Sequence, residues 1–228
     1  MHADVGNPPP WALVVPHAGY VFSGPVAASG YATLLGRCEN VTRVVLLGPS
    51  HFVPLTGMAT AAAARWSTPL GDVAVERAPG IPADDGPHAA EHALEVQLPF
   101  LQRLLPAGFT VVPVAVGRTT VGEVADLLDQ VRASLPGLIV VSTDLSHYHD
   151  AATASRLDRR TANAVLALDA AAIGPDDACG GWALRGLLAH ARRRRSAAAL
   201  LDLRTSADTA GDRARVVGYG AFCITNLL

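Results

Sequence analysis

The chain has 228 residues, of which 50% are hydrophobic and 17% are charged, so it can bury a large core and lacks the composition of a disordered protein. Eighteen basic residues against twenty acidic ones give a formal net charge of -2, which argues against a generally basic nucleic-acid-binding protein. All eighteen basic residues are arginine, and the lack of lysine excludes Schiff-base chemistry and a Walker A phosphate loop.

Three further observations favour a cytoplasmic protein. No apolar run reaches the roughly 18 residues that would indicate a membrane span. Residues 1–11 lack the basic-then-apolar pattern of a signal peptide. The three cysteines, at positions 38, 179 and 223, are too scattered for a disulfide framework. We therefore expect a reducing, cytoplasmic environment and no contact with membranes or nucleic acids.

Apolar runs and helical patterns alternate along the chain. In chain order they predict a strand over residues 11–15, a helix over 24–35, a strand over 43–48, short strands within 57–64 and 73–76, a loop over 79–87 and a helix over 89–105. There follow a strand over 110–116, a helix over 121–135, a strand over 138–142, helices over 151–168 and 181–195, and closing strands over 198–205 and 216–225. This alternation predicts one α/β domain over residues 1–228, with three layers and a largely parallel central sheet flanked by helices.

Side chains that bind metals or move protons follow three of the predicted strands. His17 follows the first strand, His51 the second, and Asp144 and His147 follow the strand over 138–142. Ligands bind beyond the carboxyl ends of parallel strands, so these groups are expected at one edge of the sheet. Neutral imidazole binds Fe, Cu and Zn, which makes His17 and His51 candidate metal ligands. The alternative is that each histidine only hydrogen-bonds a carbonyl at its strand end.

The pair Asp144 and His147 and the single residue Cys179 each suggest a specific chemical role. In the D-x-x-H spacing, His147 is a candidate general base that Asp144 would orient, although Asp144, Ser146 or Asp150 could instead cap the next helix. Cys179 precedes a predicted helix, where backbone amides and the helix dipole favour a thiolate suited to metal binding or nucleophilic attack. The alternative for Cys179 is a small buried residue in a tight turn.

The segment around Glu91 offers a different hypothesis. His88, Glu91 and His92 match the H-x-x-E-H pattern of a class of zinc proteases. On a helix, His88 and His92 would share a face, with Glu91 as the base of a zinc-dependent hydrolase. Pro87, however, places His88 in a first helical turn that need not face His92. We therefore favour Glu91, His92 and Glu95 as residues that line or support the site.

A series of short motifs runs in order from about residue 12 to 224. They are Pro16-His-Ala-Gly-Tyr20, Leu47-Gly-Pro-Ser-His51, Thr68-Pro-Leu-Gly71, Glu91-His-Ala-Leu-Glu-Val-Gln-Leu-Pro-Phe100, Ser142-Thr-Asp-Leu-Ser-His147, Cys179-Gly-Gly181 and Gly218-Tyr-Gly-Ala221. Together they resemble the Memo family, whose prokaryotic members are called AmmeMemoRadiSam system protein B. In that family a longer segment usually precedes the first motif, so the N-terminal segment is expected to be shortened here.

The resemblance implies a fold and a set of ligands. Memo proteins resemble the catalytic subunit of class III extradiol dioxygenases, which are non-haem Fe(II) enzymes. Carried over, His17, His51 and Cys179 match the metal ligands, and His147 matches the acid/base histidine, with Asp144 beside it. Extradiol enzymes use two histidines and one carboxylate, whereas the third position here is a thiolate, which favours copper or a different iron chemistry.

The sequence thus predicts iron (Fe²⁺) or copper rather than zinc, in a redox or dioxygenase-like enzyme whose small-molecule substrate is unknown. The alternative is a non-catalytic binding protein that keeps the dioxygenase-like scaffold. The family's prokaryotic name also implies radical-SAM and AMMECR-type proteins as partners.

Overall fold

The computed structural model describes residues 9–135, 137–209 and 212–227. It is a mixed α/β structure with a large central sheet and helices on both faces. Residues 1–8 lie outside the described ranges. Two predictions fall mainly on them, the absence of a signal peptide and a shortened N-terminal segment.

Within these ranges, one sheet contains ten strands, in the order β4-β5-β6-β2-β7-β1-β10-β8, with β3 paired to β6 and β9 paired to β10. The strands are β1 (Ala12–Val15), β2 (Arg43–Pro49), β3 (Met58–Thr60), β4 (Arg65–Thr68), β5 (Gly71–Val75), β6 (Thr110–Val116), β7 (Leu138–Ser142), β8 (His147–His149), β9 (Ser196–Thr205) and β10 (Val216–Asn226). The helices are α1 (Tyr20–Tyr31), α2 (Gly86–Ala89), α3 (Leu98–Leu104), α4 (Val121–Ser134), α5 (Ala151–Leu166) and α6 (Gly181–Arg193).

The centre of the sheet is parallel and its flanks are antiparallel. Strands β5, β6, β2, β7 and β1 pair in parallel, as predicted. The prediction of a largely parallel sheet is wrong for the flanks, where β4 pairs with β5, β3 with β6, and β10 with β1, β8 and β9 in antiparallel fashion. Short connections such as the one from β4 to β5 allow only antiparallel pairing. Strands β4 and β8 were not predicted, because they are partly exposed and so leave no apolar run in the sequence.

The central strands are apolar on both faces because helices cover both. In β1, Ala12 and Val14 pack into the core formed with α4, α5 and α6, while Leu13 and Val15 pack into the core formed with α1 and α3. Side chains alternate across a strand, so a strand buried on both faces appears in the sequence as an uninterrupted apolar run.

The predicted helix over residues 89–105 forms only in its last part, from Leu98 to Leu104, and is wrong before that. Helix α2 ends at Ala89, a 3₁₀ turn covers Glu95–Gln97, and α3 begins only at Leu98. The physical reason is that the Glu91 carboxylate accepts backbone amides, including that of Ala93 at 2.9 Å, which competes with helical hydrogen bonding. No helix within the described ranges combines the length and hydropathy needed to cross a membrane.

Candidate metal centre

The strand order explains why distant sequence motifs meet. Strands β2, β7 and β1 are parallel neighbours, so their carboxyl ends lie at one edge of the sheet. His51 follows β2, the segment from Thr143 to His147 follows β7, and His17 follows β1. One ligand atom each from His17, His51 and Cys179 lies within 4.8 Å of the other two. The expected convergence at one edge is therefore present.

His17 is the most buried of these three residues. Its Nε2 lies 3.3 Å from Cys179 Sγ, and its Nδ1 lies 3.0 Å from Ser142 Oγ. Burial lowers the pKa of His17 to about 3, with smaller contributions from His51 and His92. The ring is therefore neutral at physiological pH, which is the form that binds a metal ion.

His51 is oriented by a buried carboxylate. The His51 amide donates to Glu91 Oε2 at 2.6 Å, and His51 Nδ1 lies 3.0 Å from Glu91 Oε1. Burial raises the pKa of Glu91, but the hydrogen bonds from His51 and from the Ala93 amide outweigh burial and bring it to about 2. An ionised Glu91 accepts the Nδ1 proton of His51, so Nε2 of His51 is the nitrogen left to bind a metal. The ring of His92 stacks on His51, with centroids 5.7 Å apart.

Cys179 is fixed against the end of β7. Its Sγ accepts the Asp144 amide at 3.2 Å and lies 3.7 Å from Thr143 Oγ1. The next residue is Gly180, where a Cβ would lie only 2.8 Å from the Ser142 carbonyl, so glycine allows this close approach. The expectation of a stabilised thiolate is wrong for the metal-free protein. Burial and then the Asp144 charge raise the pKa of Cys179 to about 12, and the nearby amides do not offset them.

The Asp144 side chain accepts hydrogen bonds from backbone amides and does not cap a helix. Its Oδ1 accepts the amides of His17 at 2.8 Å and Ala18 at 3.3 Å, which ties the ends of β7 and β1 together. The cap of α5 is Asp150, whose carboxylate accepts the amides of Ala152 and Thr153. Burial raises the pKa of Asp144 against the opposing effect of these amides.

A cavity of about 440 Å³ opens over the three candidate ligands. His147 and Asp144 line it, together with His92, and Tyr148 extends its wall. His147 is half-buried and lies on β8, beside β10. A substrate in this cavity would contact the candidate ligands and the imidazole of His147 at the same time.

The H-x-x-E-H hypothesis depended on a helix that does not form. His88 lies in α2 and its Nε2 lies 3.2 Å from the Ala59 carbonyl, while His92 lies beyond the end of that helix. His88 and His92 therefore do not share a helix face, and His88 is separate from the candidate ligands. Glu95 is exposed and lines a neighbouring hollow with Glu91 and His88, outside the cavity over the three candidate ligands.

Some supporting residues were not singled out from the sequence. Ser142 and Gln97 are fully buried beside His17. Asp158, on α5, accepts the Ser146 amide at 3.0 Å and so holds the loop that carries Asp144 and His147. The signal available was a polar residue inside an apolar pattern, as Gln97 is between Val96 and Leu98.

Comparison with known proteins gives a consistent result. A family model described as "Memo-like protein" matches residues 8–223. The chain is 36% identical over 230 residues to the MEMO1 family protein MK0963 of Methanopyrus kandleri, a match that covers 92% of this chain and 81% of the relative. It is 34% identical over 236 residues to a MEMO1 family protein of Methanosarcina acetivorans, covering 94% and 85%. A Nitrosopumilus maritimus MEMO1 family protein is 31% identical, covering 92% and 83%.

Proposed function

This chain belongs to the Memo-like protein family, and on that premise we propose that it is a metal-dependent redox enzyme that holds one iron or copper ion on His17, His51 and Cys179. The observation that carries the proposal is the placement of two imidazoles and one thiol within 4.8 Å of one another at the carboxyl edge of a parallel sheet.

The donor set fits this assignment. Imidazole suits iron and copper, and the thiolate in place of a carboxylate moves the preference towards copper. Each histidine also has a polar partner at Nδ1, Ser142 for His17 and Glu91 for His51, as metal-binding histidines usually do. We further propose that the sheet and its site are of the class III extradiol dioxygenase type.

When bound, such an ion would supply redox chemistry and polarise a substrate in the cavity. The protein's own groups then have distinct roles. His147 faces the cavity and is the residue that would accept or donate a proton. Asp144 holds the backbone at His17 and places a carboxyl group in the same cavity wall. The small-molecule substrate would enter through the mouth beside Tyr148.

Metal analysis tests this proposal directly. The protein is purified anaerobically and its metal content is measured by mass spectrometry, for the wild type and for the Cys179→Ala and His51→Ala variants. We expect stoichiometric iron or copper in the wild type and loss of the metal in both variants. His149→Ala is the matched control, because His149 is exposed and lies outside the candidate ligands.

Two results would overturn the assignment. One is metal retained in both ligand variants. The other is a wild type that binds neither iron nor copper after anaerobic reconstitution. The first result would mean that the metal is held by other residues. The second would favour a binding protein on the same scaffold, and a search for radical-SAM and AMMECR-type partners would then follow.

A further inference from the structure

A buried series of hydrogen bonds leads to His17 through three residues that do not line the cavity over the candidate ligands. The Tyr31 hydroxyl donates to Gln97 Oε1 at 3.0 Å, Gln97 Nε2 donates to Ser142 Oγ at 2.8 Å, and Ser142 Oγ lies 3.0 Å from His17 Nδ1. All four side chains are at most 2% exposed. Water therefore does not compete for these bonds, and each donor must find its acceptor among neighbouring protein groups.

The direction of the Gln97 amide is fixed by a carbonyl. Gln97 Nε2 also donates to the Pro16 carbonyl at 2.9 Å. A carbonyl oxygen can only accept, so the amide nitrogen must face Pro16 and the amide oxygen must face Tyr31. Both Nε2 protons are thus committed, one to Pro16 and one to Ser142.

The direction of the Ser142 hydroxyl is fixed in the same way. Ser142 Oγ lies 2.6 Å from the Ala93 carbonyl, which can only accept, so the single hydroxyl proton points to Ala93. Oγ then has only lone pairs to offer, and it accepts one proton from Gln97. The remaining contact, with His17 Nδ1, is satisfied only if that nitrogen carries a proton.

We propose that Ser142 and Gln97 are positioning residues that hold His17 in the Nδ1-protonated tautomer, so that its unprotonated Nε2 is directed at the metal position. This inference rests on the proposed function for the identity of what Nε2 binds, but the tautomer itself is a property of the metal-free protein. Nε2 also lies 3.3 Å from Cys179 Sγ. An unprotonated Nε2 can accept the Cys179 thiol proton in the metal-free protein, with the Asp144 carbonyl at 3.7 Å as the other acceptor within reach of the thiol.

Nitrogen NMR of the metal-free protein tests the tautomer without any metal. The protein is labelled with ¹⁵N-histidine, and the ring signals of His17 are assigned by their loss in His17→Ala. We expect a protonated Nδ1 and an unprotonated Nε2 in the wild type. In Ser142→Ala we expect a mixture of tautomers or a proton on Nε2. A wild type with the proton on Nε2 would overturn the proposal, whether or not any variant folds.

Titration with Co²⁺ under anaerobic conditions, followed by its visible absorption, gives the second readout. Ser142→Ala and Gln97→Met should each weaken binding by about 10- to 100-fold, the usual effect of removing a group that orients a metal-binding histidine. Ser196→Ala is the matched control, since it removes a buried serine hydroxyl that has no hydrogen-bond partner among the residues that the structure describes. If Ser142→Ala keeps both the wild-type tautomer and the wild-type affinity, the proposal is wrong. A wild type that shows the expected tautomer but binds no metal would support the tautomer and overturn the proposed function.

Discussion

Cys179 and Asp144 are joined by two hydrogen bonds, one to the Cys179 side chain and one between backbone groups. The Asp144 amide donates to Cys179 Sγ at 3.2 Å, and the Cys179 amide donates to the Asp144 carbonyl at 3.2 Å. The loop before α6 is thereby fixed to the end of β7. The same proximity sets the Asp144 carboxylate against the thiol, and both burial and this charge raise the pKa of Cys179.

Metal binding should therefore release a proton from Cys179. With a pKa of about 12, this thiol is neutral at physiological pH, whereas a metal ion binds the thiolate. His17, with a pKa of about 3, is already neutral and releases no proton. One proton is released for each ion bound, so a lower proton concentration favours binding, and the affinity for Co²⁺ should rise about tenfold per pH unit near neutrality through this group. Proton release on adding Co²⁺ to a weakly buffered solution measures it.

The control for this prediction is Cys38→Ser. Cys38 is buried elsewhere, where its thiol donates to the Leu104 carbonyl, and its replacement should leave the number of released protons unchanged. Binding of Co²⁺ with no proton released would mean that the Cys179 thiol is either already ionised or not a ligand.

Neutralising Asp144 should make the Cys179 thiol more acidic. In Asp144→Asn the side-chain oxygen can still accept the amides of His17 and Ala18, so the geometry is retained while the negative charge is lost. The pKa of Cys179 should then fall, because that charge is one of the two main causes of its increase. Alkylation by iodoacetamide as a function of pH, followed on the Cys179 peptide by mass spectrometry, reports this pKa. Asp150→Asn, which alters an exposed cap of α5, should leave the profile unchanged.

Glu91→Gln should weaken both the metal site and the fold. The carboxylate accepts the His51 and Ala93 amides as well as the proton on His51 Nδ1. Replacing a buried, charged hydrogen-bond acceptor by a neutral amide costs about 1–3 kcal/mol of the free energy of unfolding. The Co²⁺ affinity should fall about 10- to 100-fold. Chemical unfolding of the metal-free protein and a Co²⁺ titration measure the two effects.

The contribution of Glu91 to the free energy of unfolding should depend on pH in a defined direction. The pKa of Glu91 is lowered from 4.5 to about 2 in the folded protein. Its contribution is therefore complete above pH 4.5 and is lost as pH falls towards 2. Glu91→Gln should flatten the stability profile in that interval. Glu95→Gln is the control, since Glu95 is exposed and its replacement should stay within about 0.5 kcal/mol of the wild type. Equal profiles for the two variants would contradict the assigned role of Glu91.

The central architecture could be predicted because burial on two faces leaves a plain signal. The apolar runs at β1, β2, β6 and β7 gave the strands, and the rule for carboxyl ends brought His17, His51 and Asp144 to one edge. The pairing partners of the flanking strands could not be predicted in this way, because alternation along a strand does not specify which neighbour it joins.

Glu91 was predicted as a supporting residue, but the contacts of the supporting residues could not be predicted because they join positions far apart in the chain. Gln97 reaches Pro16 and Ser142, which lie 81 and 45 residues away. Glu91 likewise binds His51, 40 residues earlier, and the same carboxylate accepts the Ala93 amide, which competes with the helix that local spacing predicted. Helical periodicity reports local preference, and a buried carboxylate with three donors outweighs it.

Gly218→Ala should destabilise the loop that presents Asp144 and His147. A Cβ at Gly218 would overlap the carboxylate of Asp158, which is buried and accepts the Ser146 amide at 3.0 Å. Neither group can move away freely, so the substitution should cost about 1–3 kcal/mol, as overpacking a core does. Thermal unfolding of the metal-free protein measures this cost.

A matched glycine separates this contact from the general effect of adding a methyl group. In Gly24→Ala the new Cβ has its nearest neighbour at 3.6 Å, within helix α1, where alanine is favoured over glycine by up to about 1 kcal/mol. Gly218→Ala should therefore lower the melting temperature while Gly24→Ala leaves it unchanged or raises it. In the double variant Gly218→Ala/Asp158→Ser the shorter side chain removes the overlap. The double variant should therefore be destabilised by less than the sum of the two single substitutions. Strict additivity would show that the Asp158 carboxylate does not restrict position 218, and that the loop is held in another way.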